Sequence, residues 1–443
     1  MMMYRYVSAT VLMFLVAVIV PAHALAGYDT IVISNPFLRK IPLAVPELKS
    51  LAGTAEEETV ARESADLIAQ TLEFTCYFSI IDRAAFLEDP RQTGIGLSEI
   101  NLKNWSDIGA EFLVTGSVSL EDDNVVYELR MIDVFKAQML VGKRYKGRIS
   151  DQRKIIRRFC SEVMERLTGR KGYFDSEIAL VSNGPGNKEI FVSEFDGYNP
   201  RRITNNQVIE LSPAWSSDGQ WLAFTSYRKG KPDLYIQNLS DKRGYVFDKP
   251  GVNLSPVWRP GRFELAASLS FSGDQEIYLL TGEGKVTKQL TKSWDIDVSP
   301  TFSPDGGRVA FVSKRGGTPQ LYVMDIASGN TERLTFEGKY NTTPKWSPVD
   351  EKIAYSSLED GQFQIRVVDV GTKQSVRLTD NQGDNESPTW SPDGSLIAFS
   401  STREGGKSKI YVMTIAGTDQ RRLLTLPGEQ TCPAWSLGMT AGQ

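Results

Sequence analysis

One histidine occurs in 443 residues, His23, and it lies in the N-terminal apolar segment. Beyond that segment the chain has no imidazole. Ser-His-Asp and Cys-His catalysis and histidine metal ligation are therefore excluded. Cysteine is almost as scarce. Cys76, Cys160 and Cys432 are too few, and wrongly spaced, for a disulfide framework or a zinc site. A Cys76–Cys160 bridge is conceivable within one domain, but buried free thiols are the simpler expectation. An excess of positive charge is missing too: 50 Lys and Arg stand against 54 Asp and Glu, a formal net charge of −4. That balance argues against nucleic acid, where a basic face supplies most of the affinity.

Long hydrophobic runs are absent except at the start, "MMMYRYVSATVLMFLVAVIVPAHALA". Arg5, the apolar run Val11 to Val20, Pro21 and the small residues Ala24 and Ala26 have the layout of a secretory signal. The run is about half the ~20 residues that a spanning helix needs. Cleavage is expected between Ala26 and Gly27, with export of the remaining chain. Catalytic signatures are also missing. There is no G-x-S-x-G elbow, and "EGGKS" at Glu404 to Ser408 has Ser401 where a phosphate-binding loop needs its first glycine.

What is present is repetition. "SPTWSPDGSLIAFSSTRE" from Ser387 has near copies from Ser212 and Ser299. Its aromatic recurs as Trp215, Trp258, Phe302, Trp346, Trp390 and Trp435, about 44 residues apart, a period that points to a propeller or solenoid. Between these lies a second phrase, "LYVMDIASGNTERLT" from Leu321, repeated from Ile365 and Ile410 and more weakly from Ile190. Short β-rich runs such as "SLIAFSS", bounded by Pro-Asp-Gly turns, read as strands. Four strands per repeat make a propeller blade. "IALVS" at Ile178 lacks an inner strand and "CPAWS" at Cys432 lacks everything after one, so the two complete a sixth blade and close the ring. Proline is tolerated on such an inner edge strand, and the aromatics are expected between blades.

Residues 27–169 lack this period. "TIVISN" and "KIPLAVPEL" read as strands, and Thr54 to Phe74 as a helix with Glu56 to Glu58 in its first turn. "FSIIDRAAF" is a strand entering a short helix. "EFLVTGSVSL", "NVVYELRMIDV" and "AQMLVGKRYKG" form a meander. Ser150 is placed as the cap of a last helix ending at Leu167 with Gly169 beyond it, and its basic residues Arg153, Lys154, Arg157 and Arg158 are expected to face solvent. The architecture is thus a signal peptide (1–26), an α+β domain with a mixed sheet (27–169), a linker (170–177), a six-bladed β-propeller (178–436) and a tail (437–443).

These phrases resemble the repeats of the TolB family, periplasmic propellers of the Tol-Pal system. "WSDIGAEFLVTGSV", "FSIIDRAAF" and "YFDSEIALVSN" add matches in the first domain, so the resemblance spans nearly the whole mature chain. It implies a monomeric binding protein without enzymatic activity or cofactor. Its partners would be the lipoprotein Pal and the inner-membrane protein TolA, in support of outer-membrane integrity and cell division, and bacteriocins would exploit it. Pal docking would fall where loops enter the inner strands: Asn253, Leu254, Ser255; Asp297, Val298, Ser299; Asn341, Thr342, Thr343; and Asn385, Glu386, Ser387. These loops are expected to be exposed, acidic and Asn-rich, and acidic loops would also accept a cation. TolA contact would use Tyr28, Asp29, Thr30 and Ile31 by strand addition. The reading left in competition is a propeller hydrolase working by carboxylate chemistry on peptide or glycan.

The signal assignment has a direct check. Intact mass of the exported protein should correspond to a chain starting at Gly27, and a species retaining Met1 would contradict it.

Overall fold

The computed structural model describes residues 39–380 and 382–438. The signal segment, "TIVISN" and residues 28–31 lie outside these residues. Among the described residues no helix is long and apolar enough to cross a membrane.

The first domain is a mixed sheet with helices. Strand Ile41–Ala44 pairs in parallel with Phe78–Ile80 on one side and Phe112–Glu121 on the other. Phe112–Glu121, Asn124–Asp133 and Gln138–Arg148 then form the expected antiparallel meander. Helix Ala55–Phe74 begins where anticipated, with the Thr54 side chain accepting from Glu57 N. Glu57 does more than favour the helix N-terminus. Its buried carboxylate accepts from Ala52 N at 2.6 Å and Leu120 N at 2.9 Å, tying the preceding loop to the sheet. Burial alone would raise its pKa, but these bonds and one from Ser50 hold it below the ordinary carboxylate value. A buried triad joins both helices to the sheet: Ser64 Oγ lies 2.8 Å from the Tyr127 hydroxyl and accepts from Gln152 Nε2 at 2.9 Å.

The last helix corrects two expectations. Ser150 is not its cap but lies in a 3-10 turn, Ile149–Asp151, and the helix Gln152–Thr168 starts without a side-chain cap. The chain leads straight from one helical turn into the next, so no extended residue is left to serve as an N-cap. Gly169 does end the helix, at φ 73°. The basic face is divided. Lys154 and Arg158 are exposed, but Arg157 is buried. Arg153 Nε donates to Glu194 at 2.7 Å, Arg153 also pairs with Asp196, and Arg157 donates to Glu194. Both acids belong to the propeller.

Six four-stranded sheets make the propeller, each running from its inner strand outward. In chain order the inner strands are Glu210–Trp215, Asn253–Trp258, Asp297–Phe302, Asn341–Trp346, Asn385–Trp390 and Gln430–Trp435. They open blades 1 to 6. Blade 6 is completed by Glu177–Ser182, Glu189–Glu194 and Arg201–Arg202, with Gln430 opposite Ser182 and Trp435 opposite Ile178. The inner-strand tryptophans fill the seams between blades. Trp258 packs with Ala223, Ile236 and Phe247 of blade 1 and with Leu265 and Leu280 of its own. Its indole donates to Ala214 O at 3.2 Å, as Trp215 does to Ala434 O at 3.0 Å and Trp390 to Lys345 O at 2.8 Å. Each Pro-Asp-Gly turn is locked in the same way. In blade 5 Ser391 Oγ donates to Asp393 at 2.6 Å and accepts from Leu396 N at 2.9 Å, while Gly394 takes φ 73°.

Sequence reasoning did not anticipate the bulge. In every inner strand the register shifts at the Ser-Pro step. The residue before proline sits at φ 48° to 55°: Ser212, Ser255, Ser299, Thr343 and Ser387, with Cys432 at 51°. This left-handed conformation costs about 1–2 kcal/mol per L-residue. The extra residue lets the strand bend where six blades converge.

The first domain sits on one end of the ring. It meets the turn at Glu194 and Asp196, the turn at Asp419 through Lys40, and the turn at Asp393 through Arg170. Arg421 lies over the Phe74 ring at 4.6 Å and donates to Cys76 Sγ at 2.8 Å. The residues expected to be a plain linker are a buried joint: Tyr173, Phe174, Phe195 and Phe74 cluster edge to face, and Trp435 Nε1 donates to Ser176 Oγ at 2.8 Å. All three cysteines are free.

Because Arg157 is a buried cation shared between domains, R157A should weaken their docking by about 2 kcal/mol, as for a lost hydrogen bond to a charged group. Limited proteolysis should then cut within residues 170–177 sooner than in wild type, with propeller melting unchanged. Equal cleavage rates would contradict the assignment.

Candidate partner-docking mouth

The end of the ring away from the first domain is where the inner strands begin. Their first residues, among them Asn253, Asp297, Asn341 and Asn385, are not exposed loop residues as expected but fully buried. Each belongs to a clasp between neighbouring blades. Gln320, which opens the third strand of blade 3, accepts from Thr335 Oγ1 at 2.7 Å and from Asn341 Nδ2 of blade 4 at 2.9 Å. Gln364 does the same with Thr379 at 2.7 Å and Asn385 at 3.1 Å. Asp233 receives Asn253 at 3.1 Å, while Glu189 and Glu276 receive Thr204 and Thr291. The threonine is the last residue of the repeated "RLT" phrase, and its hydroxyl also accepts a backbone N–H of the third strand, as in Leu321 N to Thr335 at 2.9 Å. A buried polar group must find partners, and in blades 3 and 4 this set supplies them; at the seam of blades 5 and 6 Gln430 Nε2 donates instead to the Leu426 and Gly428 carbonyls.

The other predicted residues divide by depth. Leu254, Val298, Thr342 and Glu386 are half-buried at the second position of their strands. Burial, and then Asp384 nearby, push the Glu386 carboxyl above its usual value. Ser255, Ser299, Thr343 and Ser387 line a cavity on the ring axis. None of the twelve is an open loop residue. The open rim lies just upstream, where Trp294 is 80% exposed, Phe336 63%, Ile209 44% and Tyr340 41%, with Ile296 beside them in sequence. The signal for these was readable: large apolar side chains in "KSWDIDVSP" and "TFEGKYNTTP" stand where the strand pattern has already stopped. Blade 4 also extends further on this side, its second and third strands having 8 residues where those of blade 5 have 6. Phe363 at that extension packs against Tyr340, ring centres 6.0 Å apart.

Two of the acids here are engaged with arginines. Arg228 meets Glu210 at 3.3 Å and Arg315 meets Asp297 at 2.7 Å. Among the described residues no group of three His, Cys, Asp or Glu is placed to hold a metal ion. One joint differs from the others because Glu276 faces another carboxyl, Asp297, across the blade 2–3 seam. Burial raises the Glu276 pKa and the Asp297 charge adds to it; bonds from Thr291 and Ser293 oppose both only in part. Asp297 Oδ1 has no hydrogen-bond partner of its own.

Fold and mouth together define the class: a six-bladed propeller with an α+β domain seated on one end and an apolar-rimmed mouth open at the other. Models of the TolB amino-terminal domain and the TolB beta propeller domain match residues 29–140 and 164–439. The Tol-Pal system protein TolB of Desulfosudis oleivorans is 68% identical over 437 residues, covering 99% of this chain and 100% of its own. A TolB homolog of Chlorobium chlorochromatii is 41% identical over 62% of each chain. The crystal structure of TolB from Acinetobacter baumannii superposes with TM-score 0.78 at 25% identity, over 90% of this chain and 97% of that one. The chain belongs to the TolB family of the Tol-Pal system.

The raised Glu276 pKa carries a stability prediction. A carboxyl raised on folding contributes stability at low pH that is lost as pH rises through its folded value. E276Q, which keeps an acceptor for Thr291 and offers Asp297 an amide donor in place of a second charge, should therefore stabilise the propeller at pH 7 by about 1 kcal/mol. Urea unfolding should show that gain shrink on acidification to about pH 4. A destabilised E276Q at pH 7 would contradict the account.

Proposed function

We propose that this protein is a periplasmic, non-enzymatic scaffold of the Tol-Pal system that binds the lipoprotein Pal at the open mouth of its propeller. The observation that carries the reading is the asymmetry of the two ends. One is filled by the first domain; the other presents exposed Trp294, Phe336 and Tyr340 around a throat. Large apolar side chains exposed together at one end of a protein mark a protein-binding site, and aromatic anchors dominate such sites energetically.

In this reading the buried first residues of the inner strands, including Asn253, Asp297, Asn341 and Asn385, shape the mouth. The half-buried Leu254, Val298, Thr342 and Glu386 form its floor, and the upstream aromatics make the main contacts. The segment Tyr28 to Ile31 adds as a strand to TolA, so that one protein links the two partners. That bridge serves outer-membrane integrity and invagination at division, and bacteriocin segments would enter through the same mouth. Carboxylate hydrolysis gains no support, because Glu210 and Asp297 are buried and paired with arginine, which leaves Glu386 without a second free carboxylate singled out beside it.

The affinity for purified Pal tests this. W294A should weaken binding about 10- to 100-fold, as for an aromatic hot spot, with the melting temperature kept. E386Q should act less strongly. Wild-type affinity in a W294A/F336A double variant would place the interface elsewhere.

A further inference from the structure

The axis of the propeller holds one side chain that neither the repeat nor the docking reading uses. In the Ser-Pro-X-aromatic phrase, X is Ala214, Val257, Thr301, Thr389 or Ala434 in five blades. These are small residues, as a crowded axis requires. In blade 4 it is Lys345. The side chain lines the axial cavity of about 90 Å³, with the six Ser-Pro steps around it. No carboxylate approaches it: among the described residues it makes no ion pair, and the one ionisable neighbour acting on it is Cys432, also in the lining.

The rest of the lining is chemically one-sided. Thr343 is occupied with Ser356, their hydroxyls 2.8 Å apart. Ser212, Ser255, Ser299 and Ser387 contribute hydroxyls, and the prolines contribute apolar walls. Proline has no N–H to donate, so the side-chain donors available to an occupant are the serine hydroxyls, the Cys432 thiol and one ammonium. Burial works against that ammonium and lowers its pKa. Lys345 is half-buried, and an unpaired charge drawn out of water is costly unless a counter-charge arrives. The cavity has room for several waters, and hence for a group the size of acetate.

We propose that the axial throat is a binding site for a small oxyanion, held by Lys345 and the serine ring. The group is a carboxylate or its equivalent. It is supplied either as a free ion or as an acidic side chain of the protein docked at the mouth; the second source rests on the docking reading above. Lys345 supplies the charge and the serines supply donors without charge, so a singly charged anion leaves the site neutral.

Acetate is the probe, titrated against full-length protein at ionic strength held constant with chloride. Wild type should show a saturable rise in melting temperature of a few degrees, and K345M none, with its own fold confirmed by circular dichroism. C432S should respond like wild type, since the thiol is not the counter-ion. Loss of the response in C432S, or an equal response in K345M, overturns the site. Pal affinity distinguishes the sources. Competition by acetate, together with weakened Pal binding by K345M, identifies a partner carboxylate. Saturable acetate binding with Pal affinity unchanged identifies a free ion. No saturable response in wild type, with Pal affinity equal in K345M, overturns the proposal and leaves the W294A test of the mouth standing.

Discussion

Ring closure is the constraint on which the rest depends. Each blade buries one face against its neighbour, so an open row of blades would leave an unpaired edge and an uncovered seam at both ends. Pairing Gln430–Trp435 with Glu177–Ser182 removes both. It also forces six inner strands to converge on one axis. That convergence explains the bulge at every Ser-Pro step, the small residues at X, and the left-handed serines. The strain is shared by six equivalent sites, and the seams offset it with a buried aromatic and, at several of them, a polar clasp.

Closure also fixes where the first domain can sit. The strand that completes blade 6 begins immediately after the buried joint of Tyr173, Phe174 and Ser176. The domain is therefore delivered to the end of the ring carrying the turns at Asp196, Asp393 and Asp419. Arg153 and Arg157 engage two propeller acids there, and Arg421 reaches back to Phe74 and Cys76. Occupation of one end leaves the other as the open face. Function then follows from position, through side chains the repeat does not dictate.

The legible part of the sequence was the part with a period. Trp215 to Trp435, the Pro-Asp-Gly turns and the split blade announce a closed six-bladed ring, and Thr54, Gly169 and the meander were readable from local chemistry. The clasps were not, because Gln320, Thr335 and Asn341 meet only once blades are stacked, and an asparagine before a strand looks like a solvated turn. Arg157 was misread for the same reason: a basic helix face gives no sign of acids that arrive from another domain. Cys76 and Cys160 stay apart as free thiols. Trp294 and Lys345 were visible as departures from the repeat, and those departures are where the mouth and the throat acquire individual chemistry.

The central claim is that the open mouth, and not the domain-covered end, is the docking face. Hydrogen–deuterium exchange of the full protein, alone and saturated with Pal, tests it most directly. The account predicts new protection in 291–299, 335–343 and 380–387, with the turns around Asp196 and Asp419 unchanged. Protection confined to those turns, with the mouth exchanging as in the free protein, would contradict it.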